Sequence, residues 1–363
     1  MLPLLPKHLS SVSAIDLFCG IGGMTHGLQQ ANIDVSAGID IDKTCRYTYE
    51  QNNRTRFIKK DIRSVTNAEL AALYPQDAIK LLVGCAPCQP FSSHTRKIKN
   101  RDKDERWGLL AHFERLVEGV KPEMVAIENV TPLRNQQVFK NFVDKLEFLG
   151  YYVYQRSIYC PDYGIPQKRR RLVLMASLFG KISLLSQTHG RSPQAELIPL
   201  PTVRSTIGNL SVIADGQVSS QDPLHRTRKL SRLNKKRIEQ SKPGGTWLDW
   251  DIALRAPCHR KKSGQTYKSV YARMTWHEPA PTITTQFYNF GTGRFGHPEQ
   301  DRALSLREGA LLQTFPKEYD FIDPNLPISF VRLGIHIGNA VPVQLAAVIG
   351  QSIQTHLKEI YRV

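Results

Sequence analysis

The segment Ala14-Ile15-Asp16-Leu17-Phe18-Cys19-Gly20-Ile21-Gly22-Gly23 predicts a buried strand that turns through glycines into a helix, the unit from which an α/β sheet is built. Apolar strands are predicted along the first half of the chain, at Ala14–Phe18, Val35–Asp40, Leu81–Gly84, Met124–Glu128, Tyr152–Ile158 and Leu172–Ala176. Helices are predicted near Met24–Ala31, Lys43–Asn52, Asn67–Leu73, Gly108–Gly119 and Gln137–Leu149. This alternation indicates an α/β fold with a parallel sheet and helices on both faces.

Composition points to a soluble protein with a polyanionic partner. The 363 residues are 41% hydrophobic and carry a formal charge of +17, which favours nucleic acid as the partner. No uninterrupted apolar run reaches the ~18–20 residues of a membrane span, and the proline-broken N-terminus does not resemble a signal peptide. Six scattered cysteines include one C-x-x-C pair, Cys85 and Cys88, without the second ligand pair of a zinc site. We therefore expect reduced thiols in a cytoplasm.

The glycine turn predicts a ligand site at the end of the first strand. Gly20 and Gly22 match a dinucleotide-binding pattern, but Thr25 replaces its third glycine, so a nicotinamide enzyme is poorly supported. Asp40 ends the second strand, where an acid commonly accepts hydrogen bonds from ribose hydroxyls. Asp61 follows a predicted third strand and could meet an adenine amino group. Together these residues predict an adenosine-containing ligand over the strand ends.

A candidate nucleophile follows the strand Leu81–Gly84. The tetrad Pro87-Cys88-Gln89-Pro90 places a thiol on a loop, and the two prolines restrict where that thiol points. Three more motifs follow along the chain: Glu128-Asn129-Val130 at a strand end, Gln167-Lys168-Arg169-Arg170-Arg171 before a strand, and Gly338-Asn339-Ala340-Val341-Pro342 before the last helix. Alternation in an extended segment predicts that Gln167, Arg169 and Arg171 share one face.

In this order, the motifs resemble those of the DNA cytosine-5 methyltransferases of bacterial restriction–modification systems. The matching segments are Asp16–Gly23, Asp40, Asp61, Pro87–Gln89, Glu128–Val130, Gln167–Arg171, Arg302–Pro316 and Gly338–Pro342. Small departures are Asp40 where many members have Glu, Ile41 where an aromatic residue is frequent, and Cys19 for the usual Ala. The resemblance implies a Rossmann-like methyltransferase sheet, S-adenosylmethionine as cofactor, and a second, smaller, loop-rich target recognition domain.

The resemblance also implies the domain limits and the residue roles. Residues 1–178 would form the catalytic domain, 179–330 the recognition domain, and 331–363 a C-terminal segment returning to the first. Cys88 would attack C6 of a flipped-out cytosine, Glu128 would contact N3 and the exocyclic amine, and Arg171 would hold O2 with Arg169 beside it. The implied cofactor set is Phe18, Gly20, Gly22, Gly23, Asp40, Ile41, Asp61, Ile62, Pro87, Leu109, Asn339, Ala340 and Val341. The implied DNA contacts are Gln89, Ser92, Ser93, Arg96, Thr284 and Thr285.

The expected partner is double-stranded DNA, and two basic stretches, His225–Arg237 and Arg255–Lys262, would contact its phosphates. We also expect a monomer, no membrane, a bacterial cytoplasmic location near the nucleoid, and a cognate restriction endonuclease acting on the same site. Three alternatives stay open at the sequence level: an RNA cytosine-5 methyltransferase, a DNA-binding protein that has lost catalysis, and a redox protein using Cys85 and Cys88. The long basic stretch favours DNA over RNA.

Overall fold

A computed structural model describes residues 11–87, 108–191, 196–264 and 266–361. The chain divides into two compact units. The first unit consists of Met1–Tyr159, Arg170–Gln187 and Val341–Val363, and the second of Cys160–Arg169 and Thr188–Ala340. These limits differ from the predicted domain boundaries, because residues 160–169 and 331–340 belong with the second unit and residues 179–187 with the first. Side-chain bonds from Gln167 and Arg169 to residues of the second unit explain the first difference.

The first unit is built on a seven-stranded sheet with the strand order β3-β2-β1-β4-β5-β7-β6. Its strands are β1 (Val12–Leu17), β2 (Asp34–Asp40), β3 (Arg56–Lys59), β4 (Ile79–Gly84), β5 (Met124–Val130), β6 (Tyr152–Tyr159) and β7 (Arg170–Ser177). The expectation of a parallel sheet is wrong for β7, which runs antiparallel to both β5 and β6. The reason is the connection from β6 to β7, which is a ten-residue segment (160–169) rather than a helical crossover.

Helices cover both faces of this sheet, as the alternation predicts. The helices of the unit are α1 (Gly23–Gln30), α2 (Arg46–Asn53), α3 (Asn67–Ala71), α4 (Leu109–Val120), α5 (Gln137–Phe148) and α11 (Val343–Tyr361). On one face, Phe113 of α4 and Phe142 of α5 share a buried core with Ile15 and Leu82 of the sheet. On the other face, Thr25 of α1 hydrogen-bonds the carboxylate of Asp16.

The last helix packs on the first one. Helix α11 lies in the C-terminal segment that was expected to return to the first domain, and Gly27 of α1 faces it so closely that a Cβ there would collide with Val343 and Ala346. His356 also exchanges a hydrogen bond of 2.8 Å with Ser177 of β7. By length and composition the stretch 330–361 could cross a membrane, although no membrane was expected. However, 78% of its most apolar window is buried, as in the core helix of a globular protein.

The second unit is rich in loops, in agreement with the sequence. Its regular elements are short: β8 (His189–Gly190), β9 (Ile198–Pro199), α6 (Val203–Ile207), α7 (Arg232–Gln240), α8 (Pro257–Arg260), α9 (Leu306–Leu312) and α10 (Phe330–Asn339). An aromatic core contains Trp247, Trp250 and Phe290. Helix α9 lies within the motif Arg302–Pro316, and its first turn is closed by a capping box between Ser305 and Glu308.

Candidate active site

The candidate site of the first unit lies at the carboxyl ends of its parallel strands. Strands β1, β2, β3, β4 and β5 are mutually parallel, so their carboxyl ends meet at one edge of the sheet. Leu17 pairs with Gly84 and Gly84 with Ile127, which places the next residue of each strand side by side. The edge therefore gathers Phe18, Cys85 and Glu128, and it is the edge at which open α/β sheets bind ligands.

The glycine turn is held open by unusual backbone angles and by Asp40. Phe18, Gly20 and Gly22 have φ angles of 60°, 50° and 91°, in the left-handed region. The Gly20 amide donates to Oδ2 of Asp40 at 2.9 Å, and the Asp42 amide donates to Oδ1 at 2.8 Å. Burial raises the pKa of Asp40, which these bonds counteract. A Cβ on Gly20 would meet no atom within 4 Å among the described residues, so open space borders the turn.

These residues fit an adenosine-containing cofactor. Asp40 offers a carboxylate at a strand end, and Ile41 beside it is an apolar side chain that is 61% exposed, a fitting surface for a base. Asp61, the third expected contact, instead has its carboxylate bonded to Arg63, with Nη2 2.7 Å from Oδ2. Its pKa is lowered chiefly by that hydrogen bond. Ile62 and Leu109 both pack on the hydrophobic core of the unit.

Glu128 is the most constrained acid at this edge. It is 1% exposed, and the thiol of Cys85 donates to its Oε2 at 3.0 Å. Nε of Arg171 lies 2.7 Å from Oε1, although no hydrogen bond reaches that oxygen from any described residue, because the N–H bond is not directed at it. Oε1 is thus a buried acceptor that is ion-paired with Arg171 and receives no hydrogen bond from a described residue, so it can still accept one from a ligand.

Arg169 and Gln167 have different surroundings from Arg171. Burial alternates as expected: Gln167 and Arg169 are buried and Arg171 is mostly so, whereas Lys168 and Arg170 are exposed. Gln167 and Arg169 belong to the second unit, where Nη1 of Arg169 donates to the carbonyl of Ile283 at 3.3 Å. The expectation that Arg169 takes part in catalysis stays a prediction.

Two further expected segments meet inside the second unit. A Cβ on Gly338 would lie 2.5 Å from the Thr284 carbonyl carbon and the Thr285 amide nitrogen. The backbone before Asn339 and Ala340 therefore touches the backbone of the expected DNA-contacting threonines directly. Five expected site residues lie outside the described part of the chain, so nothing is said of their placement: Cys88, Gln89, Ser92, Ser93 and Arg96.

The basic stretch His225–Arg237 is not a uniform DNA-facing surface. Arg237 is buried, its guanidinium lies 5.0 Å from the ring of Tyr271, and its Nε donates to the carbonyl of Leu254. Arg237 is therefore part of the core, and the expectation that it contacts phosphate is wrong. Exposed basic residues remain available for that role: Arg228, Lys229, Arg232, Lys236, Lys261 and Lys262.

Sequence reasoning missed two residues of this geometry. The sequence suggests Cys85 only as a redox partner of Cys88, yet its thiol donates to Glu128. The signal for this contact is the position of Cys85 at the end of a strand adjacent to the Glu128 strand. Gln313, inside the motif Arg302–Pro316, received no role, although it is fully buried and bonds Gln167 at 2.6 Å. A buried glutamine has no local pattern that reveals its partner.

The family profile described as "C-5 cytosine-specific DNA methylase" matches residues 12–355. The Type II methylase M.HgiDII of Herpetosiphon aurantiacus is 50% identical over 352 residues, covering 96% of this chain and 97% of that protein. The Type II methyltransferase M1.BsuMI of Bacillus subtilis is 31% identical over 360 residues, and the match covers 93% of this chain and 79% of that protein.

Solved structures share the fold. A putative DNA modification methyltransferase encoded within an Escherichia coli prophage has a TM-score of 0.66 at 21% identity, covering 96% of this chain and 100% of its own. The Dnmt2 methyltransferase of Schizosaccharomyces pombe (S. pombe) has a TM-score of 0.59 at 18% identity, covering 97% and 100%. With its glycine turn, its Glu128–Arg171 pair and this profile match, the chain belongs to the C-5 cytosine-specific DNA methylases, enzymes that methylate DNA cytosine at C5 with S-adenosylmethionine as donor.

Proposed function

We propose that this enzyme methylates one cytosine within a short, specific duplex sequence, as the protective methylase of a Type II restriction–modification system. The observation that carries the catalytic part is the buried Oε1 of Glu128, an acceptor without a donor among the described residues, 2.7 Å from Nε of Arg171. A cytosine edge suits this pair, since the ring offers an amine donor and a carbonyl acceptor. The names of the similar Type II methylases support the biological setting.

In the proposed reaction, the Cys88 thiolate adds to C6 of the cytosine and makes C5 electron-rich. Glu128 accepts a hydrogen bond from the exocyclic amine and supplies a proton to N3, while Arg171 stabilises charge at O2. S-adenosylmethionine would supply the methyl group that C5 takes up and would leave as S-adenosylhomocysteine. A base then removes the C5 proton, the electron pair of that C–H bond restores the double bond, the Cys88 sulfur leaves C6 as a thiolate, and N3 returns its proton to Glu128.

Binding of the cofactor and of DNA is assigned to separate residues. The glycine turn at Gly20 and Gly22, with Asp40, would hold the adenosine, and Asn339 with Ala340 would close the methionine side. Thr284 and Thr285 would contact the backbone of the target, and exposed lysines and arginines of the second unit would bind phosphates. A ring stacked in a duplex is out of reach, so the target base has to flip into the site. We expect a cytoplasmic monomer acting at the nucleoid, with a restriction endonuclease cutting unmethylated copies of the same sequence.

Tritium transfer from labelled S-adenosylmethionine tests the proposal, with wild type and Cys88→Ala compared side by side on duplex DNA and on tRNA. We expect label only in duplex DNA and only with the wild type, and bisulfite sequencing should then show 5-methylcytosine in one short motif. A denaturation-resistant complex with a duplex carrying 5-fluorocytosine in that motif would report the Cys88–C6 bond. Label in tRNA, or equal labelling by Cys88→Ala, would refute the proposed function.

A further inference from the structure

Two buried glutamines form a continuous chain of hydrogen bonds inside the second unit. The amide of Ile283 donates to Oε1 of Gln167 at 3.1 Å, and Nε2 of Gln167 donates to Oε1 of Gln313 at 2.6 Å. Nε2 of Gln313 then faces the carbonyls of Ile337, Gly338 and Ala340 at 2.7, 3.4 and 3.2 Å. Both glutamine side chains are fully buried, so no solvent competes with these bonds. We call this chain the glutamine relay.

The two ends of the glutamine relay are functional segments. Ile283 directly precedes Thr284 and Thr285, the proposed DNA contacts. The other end, residues 337–340, contains Asn339 and Ala340 of the proposed cofactor site. Arg169 adds a second bond to the first end by donating to the carbonyl of Ile283.

Direct backbone packing joins the same two segments. On one face of α10, Gly334 and Gly338 stand four residues apart, and they leave room for no side chain. A Cβ on Gly334 would collide with Tyr288 and approach the Thr285 carbonyl, and a Cβ on Gly338 would collide with Thr284. A shift of the end of α10 at residues 337–340 must therefore move residues 284–288, or leave an interior gap between them.

We infer that the glutamine relay couples cofactor binding at Asn339–Ala340 to DNA binding at Thr284–Thr285, with Gln167 and Gln313 as positioning residues. This inference rests on the proposed function of those two segments. The physical reason is that a buried polar network tolerates little mismatch: a bond lost at one end leaves a desolvated amide or carbonyl unsatisfied. Ordering one end thus favours the bonded arrangement at the other. Coupling between two binding sites is reciprocal. If the cofactor increases the affinity for DNA by some factor, DNA must increase the affinity for the cofactor by the same factor.

The test compares binding of S-adenosylhomocysteine, measured by calorimetry, with and without a duplex carrying the sequence found by bisulfite sequencing. In the wild type we expect the duplex to increase the affinity for S-adenosylhomocysteine about tenfold, a common size for coupling between two binding sites. Gln313→Met and Gln167→Met remove the amides while keeping side-chain length, and should reduce the factor to about twofold or less. Gln300→Met is the matched control. It removes an amide that accepts from Ile213 and Arg302 in the same unit but lies outside the relay, so the wild-type factor should persist.

A second measurement needs no variant. Hydrogen exchange of the wild type should show that S-adenosylhomocysteine alone slows exchange at the Ile283 amide as well as in residues 337–340. In the calorimetric test, a glutamine variant that only lost stability would keep the wild-type coupling factor. The coupling factor therefore distinguishes a positioning role of the glutamines from a general structural role.

The outcomes distinguish the two proposals. If the wild type methylates DNA and binds S-adenosylhomocysteine, but the duplex changes that affinity by no measurable factor, the relay inference is wrong and the proposed function stands. The same conclusion follows if both methionine variants keep the wild-type coupling factor, or if S-adenosylhomocysteine does not change the hydrogen-exchange rate of the Ile283 amide. A wild type that neither binds S-adenosylhomocysteine nor methylates DNA overturns both.

Discussion

Nε of Arg171 lies 2.7 Å from Oε1 of Glu128, and the two residues come from adjacent antiparallel strands, with Val130 of β5 opposite Arg171 of β7. This pair exists because β7 runs against β5. Reversal of the strand brings its first residues, rather than its last, to the edge where Glu128 stands. The antiparallel strand that departs from the expected sheet is therefore what completes the candidate catalytic site.

Loss of the Arg171 guanidinium should lower the rate of methyl transfer far more than loss of the neighbouring Arg170 guanidinium. Arg171→Gln removes the cation beside a buried carboxylate and should lower single-turnover methyl transfer by about 100-fold or more. Arg170→Gln is the control, because Arg170 is exposed and its guanidinium lies over the ring of Tyr159. Rapid-quench measurement of labelled DNA checks both. Equal rates for the two variants would remove Arg171 from the mechanism.

Replacement of Cys85 separates a positioning role from a redox role. Cys85→Ser keeps a hydrogen-bond donor to Oε2 of Glu128 and should retain methylation within about twofold, whereas Cys85→Ala should lose about fivefold, the effect of one hydrogen bond. A disulfide with Cys88 is impossible in both variants. Steady-state kcat under reducing conditions is the measurement. Inactivity of the serine variant would favour the C-x-x-C redox interpretation instead.

The buried Asp16 should make the protein less stable as pH rises. Burial raises its pKa to about 7 against 3.8 in the unfolded chain, even though Thr25 donates to it. Between about pH 4 and pH 7 the folded state therefore holds a proton that the unfolded state has released, so each step up in pH favours unfolding. Relative to Asp16→Asn, the wild type should lose roughly 4 kcal/mol of unfolding free energy across this window.

Urea unfolding at a series of pH values checks the Asp16 prediction. The difference between wild type and Asp16→Asn isolates this carboxyl from the other titrating groups. Asp77→Asn, at an exposed position, is the control for loss of one carboxylate. A wild type whose stability runs parallel to that of Asp16→Asn from pH 4 to pH 8 would contradict the prediction.

The buried pair Arg302–Glu308 should show strong coupling in a double-mutant cycle. Nη1 of Arg302 donates to Oε2 of Glu308 at 2.8 Å, and Nη2 donates to Oε1 at 2.7 Å. Burial by itself would raise the pKa of Glu308, but the charge and bonds of Arg302 outweigh it and lower that pKa to about 2. Arg302→Leu or Glu308→Leu alone leaves a bare buried charge and should cost about 3–5 kcal/mol, while the double variant should cost less than the sum.

Chemical denaturation of the four proteins of that cycle gives the coupling energy. The pair Lys145–Glu118, at 3.1 Å and partly exposed, is the control cycle and should show less than about 1 kcal/mol. A coupling as small for Arg302–Glu308 would mean that its charges are solvated. Stabilisation by ionised Glu308 is present above its unfolded pKa and should be lost as pH falls toward 2.

The contact between α1 and α11 should tolerate no side chain at Gly27. Gly27→Ala inserts a Cβ into the backbone of Val343 and the side chain of Ala346, and such overpacking costs about 1–3 kcal/mol. Gln30→Ala, on the exposed side of the same helix, should stay within about 0.5 kcal/mol of the wild type. Thermal and urea unfolding measure both. An unchanged stability of Gly27→Ala would show that α11 can move away from α1 freely.

The order of strands and helices, the glycine turn, the strand-end acids and the family could all be predicted from the amino-acid sequence. These are local: hydrophobic periodicity and short motifs are complete within a dozen neighbouring residues. The strands β1, β2, β4 and β5 accordingly appear within a few residues of their expected limits.

Four features could not be predicted and emerge only from the folded arrangement: the direction of β7, the bond from Cys85 to Glu128, the burial of Arg237 and the relay between Gln167 and Gln313. Each depends on partners that the chain brings together from a distance: 43 residues separate Cys85 from Glu128, and 146 separate Gln167 from Gln313. No local pattern distinguishes an arginine that will stack on a buried ring from one that will meet a phosphate. That difference arises from burial, because a charged or polar group removed from water must find its partner wherever the fold supplies one.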